Sequence, residues 1–510
     1  MIINPVTFII MNLSMFINRY CYFCLLVWVC ISCQSVSKDI TEELSQKPRL
    51  FPDYTDIVIP YNIAPLNFKV VGRPERVEAV LRFSDESWVL TGEEKIIFPE
   101  KKWKQWLEKA KGGRISVTLK AEWDGKTYQY APFDWEVSIA PIDPVLVYRK
   151  IEPGYTTTNT MSINQRNLTN FNDEVLIDNM KSETGCINCH SFCQNDPDQM
   201  LFHSRQKNPG TYFIRHGEIE KVDTQAGEMS QAAGYPFWHP SGNYIAFSVS
   251  QTRQIFYEGK TPIEVFDLGS DVIVYDLKDK KSYTIPELFA DSLHNNYPVF
   301  TPDGETLIYC GGKAVQVPEY KSDLKLSLCA IRFDADKMEF GETVDTLVSA
   351  SRINKSMLHP RVSPCGRFLL YTEVEYGSFS NYHKSSDLAL YDLKNKTHRT
   401  LDEINSEDVD SFHSWSSVGG WVVFSSRRND GYYTYPWFTQ INDAGKASKP
   451  FLLPQEDPDF YIYCLTSYNV PELVKGKVSI DPYNLRKTVM EAPVIKSKYK
   501  IQNDRIYECL

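Results

Sequence analysis

Four stretches decide the fold. Tyr235–Phe247 reads YPFWHPSGNYIAF, Tyr297–Tyr309 reads YPVFTPDGETLIY, His359–Tyr371 reads HPRVSPCGRFLLY and Phe412–Phe424 reads FHSWSSVGGWVVF. Aligned, they place Gly242, Gly304, Gly366 and Gly419 at one position. Pro240, Pro302 and Pro364 stand two residues before it, and the fourth copy lacks this proline. Proline pre-sets one turn position and glycine takes a positive φ, so each copy predicts a strand, a tight turn and a second strand. Outer strands follow, at Asp271–Lys278 and Leu388–Lys394. A four-stranded antiparallel unit cannot bury both faces alone, so several must stack radially, which predicts a β-propeller. The first three copies begin 62 residues apart, beyond the usual ~40–45 of such repeats, so the loops carry insertions. A cryptic unit described below makes five, and Val145–Tyr155 with Tyr461–Val470 assemble a sixth, giving six blades.

These repeats resemble the TolB-like, WD-repeat-like propeller, whose unit reads roughly His-Pro-x-aromatic-Ser-Pro-Asp-Gly-x-x-Leu-x-Phe. Ser241 and Cys365 replace the usual aspartate, which speaks against ion binding by the turns. The resemblance implies docking of envelope proteins at the rim and central funnel.

The chemistry concentrates at Cys186-Ile187-Asn188-Cys189-His190, a C-x-x-C-H motif. This is the attachment signature of a c-type haem. Cys186 and Cys189 are spaced to form thioethers with the two haem vinyls, and His190 follows as the proximal iron ligand. With 12 Cys and 9 His in 510 residues, chance expects the pattern far less than once. Competing readings are a Cys186–Cys189 dithiol or disulfide, and an iron–sulfur or zinc site that borrows Cys193. The last supplies three cysteines where four ligands are wanted. Downstream, Asp196-Pro197-Asp198 and Met200–Arg205 read as a turn and strand, followed by a Pro209-Gly210 turn and two more strands. The motif is therefore expected inside the first blade. Met200 and His203 are the nearest candidates for the second axial ligand, with Met161 and His216 behind them.

Before the repeats, Arg114–Trp123 alternates with period two, and Asp124-Gly125 signals a hairpin. Pro99–Lys111 predicts a helix with Trp103, Trp106, Leu107 and Ala110 on one face and Gly112-Gly113 as its stop. Together these predict an immunoglobulin-like sandwich with an inserted helix, a spacer or docking module without catalytic residues.

At the N-terminus, Arg19 precedes the 13-residue apolar run Tyr20–Ser32, and Cys33 follows. The run is short of the ~20 residues that span a bilayer and fits an export signal. It resembles a bacterial lipoprotein signal, with Cys33 as the lipidated residue, although Cys30 stands where leucine is usual; a plain membrane anchor is the alternative. Export would place the protein in the periplasm or outer membrane, in an oxidising compartment. Lys+Arg 55 against Asp+Glu 65 gives a net charge of −10, which argues against a nucleic-acid partner.

The expected organisation is signal 1–32, tether 33–53, sandwich 54–143, connector 144–184, propeller 185–485 and C-terminal tail 486–510. As a whole the chain is similar to exported bacterial proteins labelled cytochrome c biosynthesis or TolB-like proteins. The expectation is an all-β, lipid-anchored envelope protein with one covalent haem c, serving electron transfer or haem-based redox chemistry with an envelope partner. The alternative is a non-catalytic docking propeller in which haem is structural or absent. A peptidase is excluded, since no Gly-x-Ser-x-Gly elbow is present.

Overall fold

The computed structural model describes residues 40–152, 160–227, 229, 231–255 and 264–502. Cys33, the signal and Cys509 lie outside them. No described helix is long and apolar enough to cross a membrane.

The N-terminal part is built from a seven-stranded sheet and a three-stranded one. Its central strand, Arg114–Trp123, buries Ile115, Val117, Leu119 and Ala121 on one face. It turns through Asp124 (φ 50°) and Gly125 (φ 73°), the paired positive φ values of a type I′ hairpin. The helix Glu100–Ala110 buries Trp103, Trp106, Leu107 and Ala110. Trp103 donates its indole N–H to Ile63 O (3.0 Å) and packs edge-on to Trp135. The expected tether proves structured from residue 40 on. Glu42–Glu43 runs parallel to Tyr128–Gln129, and Leu50–Phe51 pairs with Phe68–Val70 in the smaller sheet.

After residue 144 the strands form antiparallel units in series. The first, Cys186–Phe192, Gln199–Arg205, Gly210–Arg215 and Glu218–Asp223, contains the C-x-x-C-H motif. Two more follow, starting at Gly234–Trp238 and Leu293–Phe300 and joined by one bridge, Ser270 to His294. Then come units starting at Ser356–Val362 and Asp410–Trp415. The segment 144–184 is not a connector. It supplies Val145–Ile151, Met161–Asn167 and Asp173–Asp178, which join Ser467–Val474 from the far end of the chain in one more four-stranded sheet. The strand expected over Tyr461–Val470 begins only at Ser467, and residues 460–463 are a short helix.

The innermost strands neighbour one another in a closed ring. Ser467–Val474 touches both the motif strand and Asp410–Trp415. A closed ring of antiparallel sheets is a β-propeller. The expected loose tail is also structured. Helix Pro482–Glu491 buries Leu485 and Val489, and Ile495–Lys496 and Lys498–Ile501 pair in parallel with the outer strands of two successive units.

The two parts share a hydrophobic core. Asp143 accepts from the Ser417 backbone N–H and hydroxyl (both 2.7 Å), and Trp421 donates to Ala140 O (3.2 Å).

Candidate functional site

Each innermost strand carries the same irregularity, one extra residue opposite its partner strand, between Asn188 and Ser191 in the motif unit. At these bulges Cys189, Tyr235, Tyr297, His359, Phe412 and Val470 have φ of 51°, 47°, 53°, 53°, 44° and 50°. Non-glycine residues rarely adopt this conformation, and for β-branched Val470 it is an outright outlier. Such strain persists only where the surrounding fold enforces it, and it gathers at functional sites. The second cysteine of the motif is thus the bulge residue of its blade, at the position held by the aromatic first residue of each repeat copy. Sequence reasoning aligned four copies at this position; the motif unit and the ring-closing unit were expected as blades but not aligned with them. The signal available was the Pro236, Pro298, Pro360 and Pro471 that follow the bulge in four units.

The bulge residues meet at the centre of the ring. Ring centroids are 4.6 Å apart for Tyr235–Tyr297, 4.1 Å for Tyr297–His359 and 4.3 Å for His359–Phe412. Two cavities adjoin these rings, and His359 and Phe412 border both. The larger, about 430 Å³, contains all the bulge residues in its wall. The smaller, about 100 Å³, lies beyond them and is lined by Ser191, Asn195, Arg361, His413 and Glu472. His190 borders both.

Cys186, Cys189 and His190 all line the larger cavity, and both cysteines are free thiols. Arg149 steadies the motif strand by donating to Ile187 O (3.2 Å). Asn195, in the turn after the motif, donates to Leu473 O (2.7 Å) and Trp415 O (3.1 Å) and so ties the motif unit to its neighbours. His190 is buried, and neither ring nitrogen makes a well-aligned hydrogen bond, although the backbones of Val147 and Val470 lie close to the ring. Burial, with the Arg149 cation adding to it, holds its imidazole down to about 3 against the raising pull of the Val470 and Val147 backbone, so it is neutral at physiological pH. Both nitrogens are enclosed, so the ring must turn to present one to the cavity.

A buried, neutral imidazole without a well-aligned partner, beside two free thiols, is the donor set a c-type haem uses. The wall also carries Arg149, Arg205 and Arg361 and, among the described residues, no Asp or Glu. In a chain of net charge −10 this is a local concentration of cations, suited to carboxylates on a planar ligand.

The expected second axial ligands do not reach the cavity. Met200 packs in the apolar core between sheets with Ile187 and Phe202. His203 faces the next unit, its Nδ1 bonded to Thr211 Oγ1 (2.8 Å) and its ring near Phe247. His216 sits exposed in a turn. Met161, by contrast, lines the cavity, its Sδ accepting the Ile187 N–H (3.2 Å). Cys193 is buried against the following unit, its thiol toward His239 O (3.8 Å), and burial pushes it up to about 11. Cys193 therefore lies away from the cavity that Cys186 and Cys189 line, and among the described residues no group of three or more His, Cys, Asp or Glu side chains is placed to hold a metal ion.

Glu472, in the smaller cavity, accepts the Phe192 N–H (3.0 Å). Burial pushes its carboxyl up to about 7, against the lowering effects of that bond and of the Arg361 charge. The folded state therefore favours the protonated acid, and stability is lost as pH rises from the ordinary glutamate value through about 7. Glu472→Gln keeps the acceptor. It is expected to melt a few degrees above the wild type at about pH 8 and to converge with it near pH 5 in thermal melts.

No family model and no curated protein matches the chain. Among solved structures it is similar to a TolB-type protein from Agrobacterium tumefaciens, with 14% identity over 64% of this chain and 96% of that one and a TM-score of 0.36. It is also similar to a DUF4784 family protein from Bacteroides caccae (10% identity, 84% and 99% covered, TM-score 0.32). A third likeness is to the Cps50 (Swd1) β-propeller domain from Myceliophteria thermophila (8% identity, 62% and 90% covered, TM-score 0.32). Likeness at this level concerns the fold alone, and the site is read from its own residues.

Proposed function

We propose that this is an exported, envelope-anchored c-type haem protein, with haem attached through Cys186 and Cys189 inside a six-bladed propeller and the chain lipidated at Cys33. The N-terminal part is assigned as an immunoglobulin-like sandwich that serves as spacer or docking module, and its shared core with the propeller holds the two in one orientation. The observation that carries the reading is the convergence of both motif thiols, the buried neutral His190 and an acid-free arginine trio on one cavity. Its volume, about 430 Å³, falls within the ~300–1,000 Å³ of ligand pockets. His190 and Met161 would supply the side chains that hold the iron, and Arg149, Arg205 and Arg361 would pair with the haem's carboxylates. Haem bound there would supply one-electron redox chemistry, for electron transfer with an envelope partner. The aromatic bulge residues shield one side of the cavity from water, and low dielectric around a haem is one of the protein's means of setting its potential.

The test is expression of the full chain with a c-type maturation system, followed by a denaturing gel stained for haem. The wild type is expected to stain and Cys189→Ala to lose essentially all stain. An unstained wild type would leave a docking propeller.

A further inference from the structure

A second cleft, of about 550 Å³, opens between the motif unit and the next one and shares Arg205 and Thr252 with the wall of the central cavity. Its other charged lining residues are Lys221, Arg253 and Asp223. Asp223 spends one carboxylate oxygen on the Gln225 N–H (3.0 Å), an internal turn contact. Lys221 is only 7% exposed, and its ammonium is held in place by a bond to Val489 O (3.1 Å) at the last turn of the C-terminal helix. That contact fixes the cation without neutralising it. Among the described residues no aromatic side chain but His203 lines the cleft, so it offers no stacking platform for a flat apolar ligand. Gln251 offers its side-chain amide there; Asn208 and Gln225, whose amide N–H groups bond Glu183 O (2.8 Å) and Met229 O (3.2 Å), and Ser250, bonded to Ser270 (2.7 Å), keep acceptor oxygens that can bond ligand hydroxyl groups. The cleft therefore sets three cations against one engaged carboxylate in a chain of net charge −10.

From this we infer that the cleft between the motif blade and its successor binds a small hydroxylated organic anion, next to but separate from the central cavity. The anion is held by Arg205, Lys221 and Arg253, and its hydroxyls by the surrounding amides. The cleft does not require haem. A ligand seated there would lie against Arg205, which stands in both walls, and so beside the proposed redox centre.

The test is calorimetric titration of the full-length protein with two probes, D-gluconate and inorganic phosphate. Gluconate is expected to bind more tightly, because phosphate offers charge without the hydroxyls the amides would take. Arg253→Gln, whose side chain lies outside the central cavity, is expected to weaken gluconate roughly ten- to a hundredfold, the worth of one charge-assisted bond. Arg149→Gln, in the central cavity only, is expected to leave it unchanged. Phosphate binding as well as or better than gluconate would overturn the hydroxylated-anion assignment. No binding of either probe at millimolar concentration would overturn the site altogether. So would gluconate binding that survives Arg253→Gln and is lost in Arg149→Gln, since the anion would then occupy the central cavity. Haem staining of Arg253→Gln reports separately on the proposed function, and its melting curve confirms that the variant is folded.

Discussion

A chain ended after Thr466 is expected to show no cooperative unfolding transition and to bind a hydrophobic dye at ambient temperature. The missing strand, Ser467–Val474, is the innermost strand of the unit that closes the ring and pairs along Val145–Ile151. With it go the buried Tyr468, Leu473 and Val474, each contributing ~1.5–3 kcal/mol of burial. The carbonyl of Leu473 that holds Asn195, and Glu472, which holds the Phe192 N–H beside the motif, are lost too. Open inner edges on both neighbours add to this, and the sum reaches the ~5–15 kcal/mol that a domain has in total. A chain ended after Ile480 keeps the closing strand and loses the outer straps and the helix that buries Leu485 and Val489. It is expected to stay cooperative and melt lower. Comparable melting of the two truncations would contradict ring closure by this strand.

Met161→Ala and Met200→Ala are expected to cost similar stability and to differ completely in colour. Both side chains are buried, at 4% and 0% exposure, so each truncation should destabilise by ~2–5 kcal/mol. Only Met161 lines the cavity. In matured protein its loss should remove the sulfur ligand and lower the midpoint potential, since methionine ligation raises it. Met200→Ala should leave the reduced spectrum and the potential unchanged. Spectral change in Met200→Ala alone would overturn the assignment of Met161.

Much of this molecule is legible in its sequence where the signal is local. Gly242, Gly304, Gly366 and Gly419 have φ of 71°, 79°, 74° and 74°, the left-handed turn the repeats require. The helix near residue 100 buries the four residues that its spacing puts on one face. Ring closure was only half legible. Val145–Ile151 meets a partner more than 300 residues away, and neither strand carries the glycine turn that marks the repeats. Val145–Tyr155 read as a strand of a sixth blade with the C-terminal strand, but the rest of the segment up to Asp178 read as a connector.

The axial ligand failed for a different reason. Alternation along Gln199–Arg205 assigns Met200 and His203 to opposite faces correctly, but both faces of a blade strand pack against neighbouring blades. Only strand ends and the innermost strands look into the channel, and period-two patterning carries no information on that. Met161 stands at a strand end. The bulge was legible in principle, because the motif's Cys-His pair occupies the place of the Tyr-Pro and His-Pro pairs elsewhere.

The account rests on covalent attachment at Cys186 and Cys189, and intact peptide mass tests it most directly. Tryptic cleavage after Lys181 and Arg205 releases peptide 182–205, which carries the whole motif. From protein matured in a c-type system, this peptide is expected to carry the added mass of one haem, and Cys189→Ala is expected to lose that stable adduct. A wild-type peptide at its unmodified mass, or two hydrogens lighter from a Cys186–Cys189 disulfide, would contradict it.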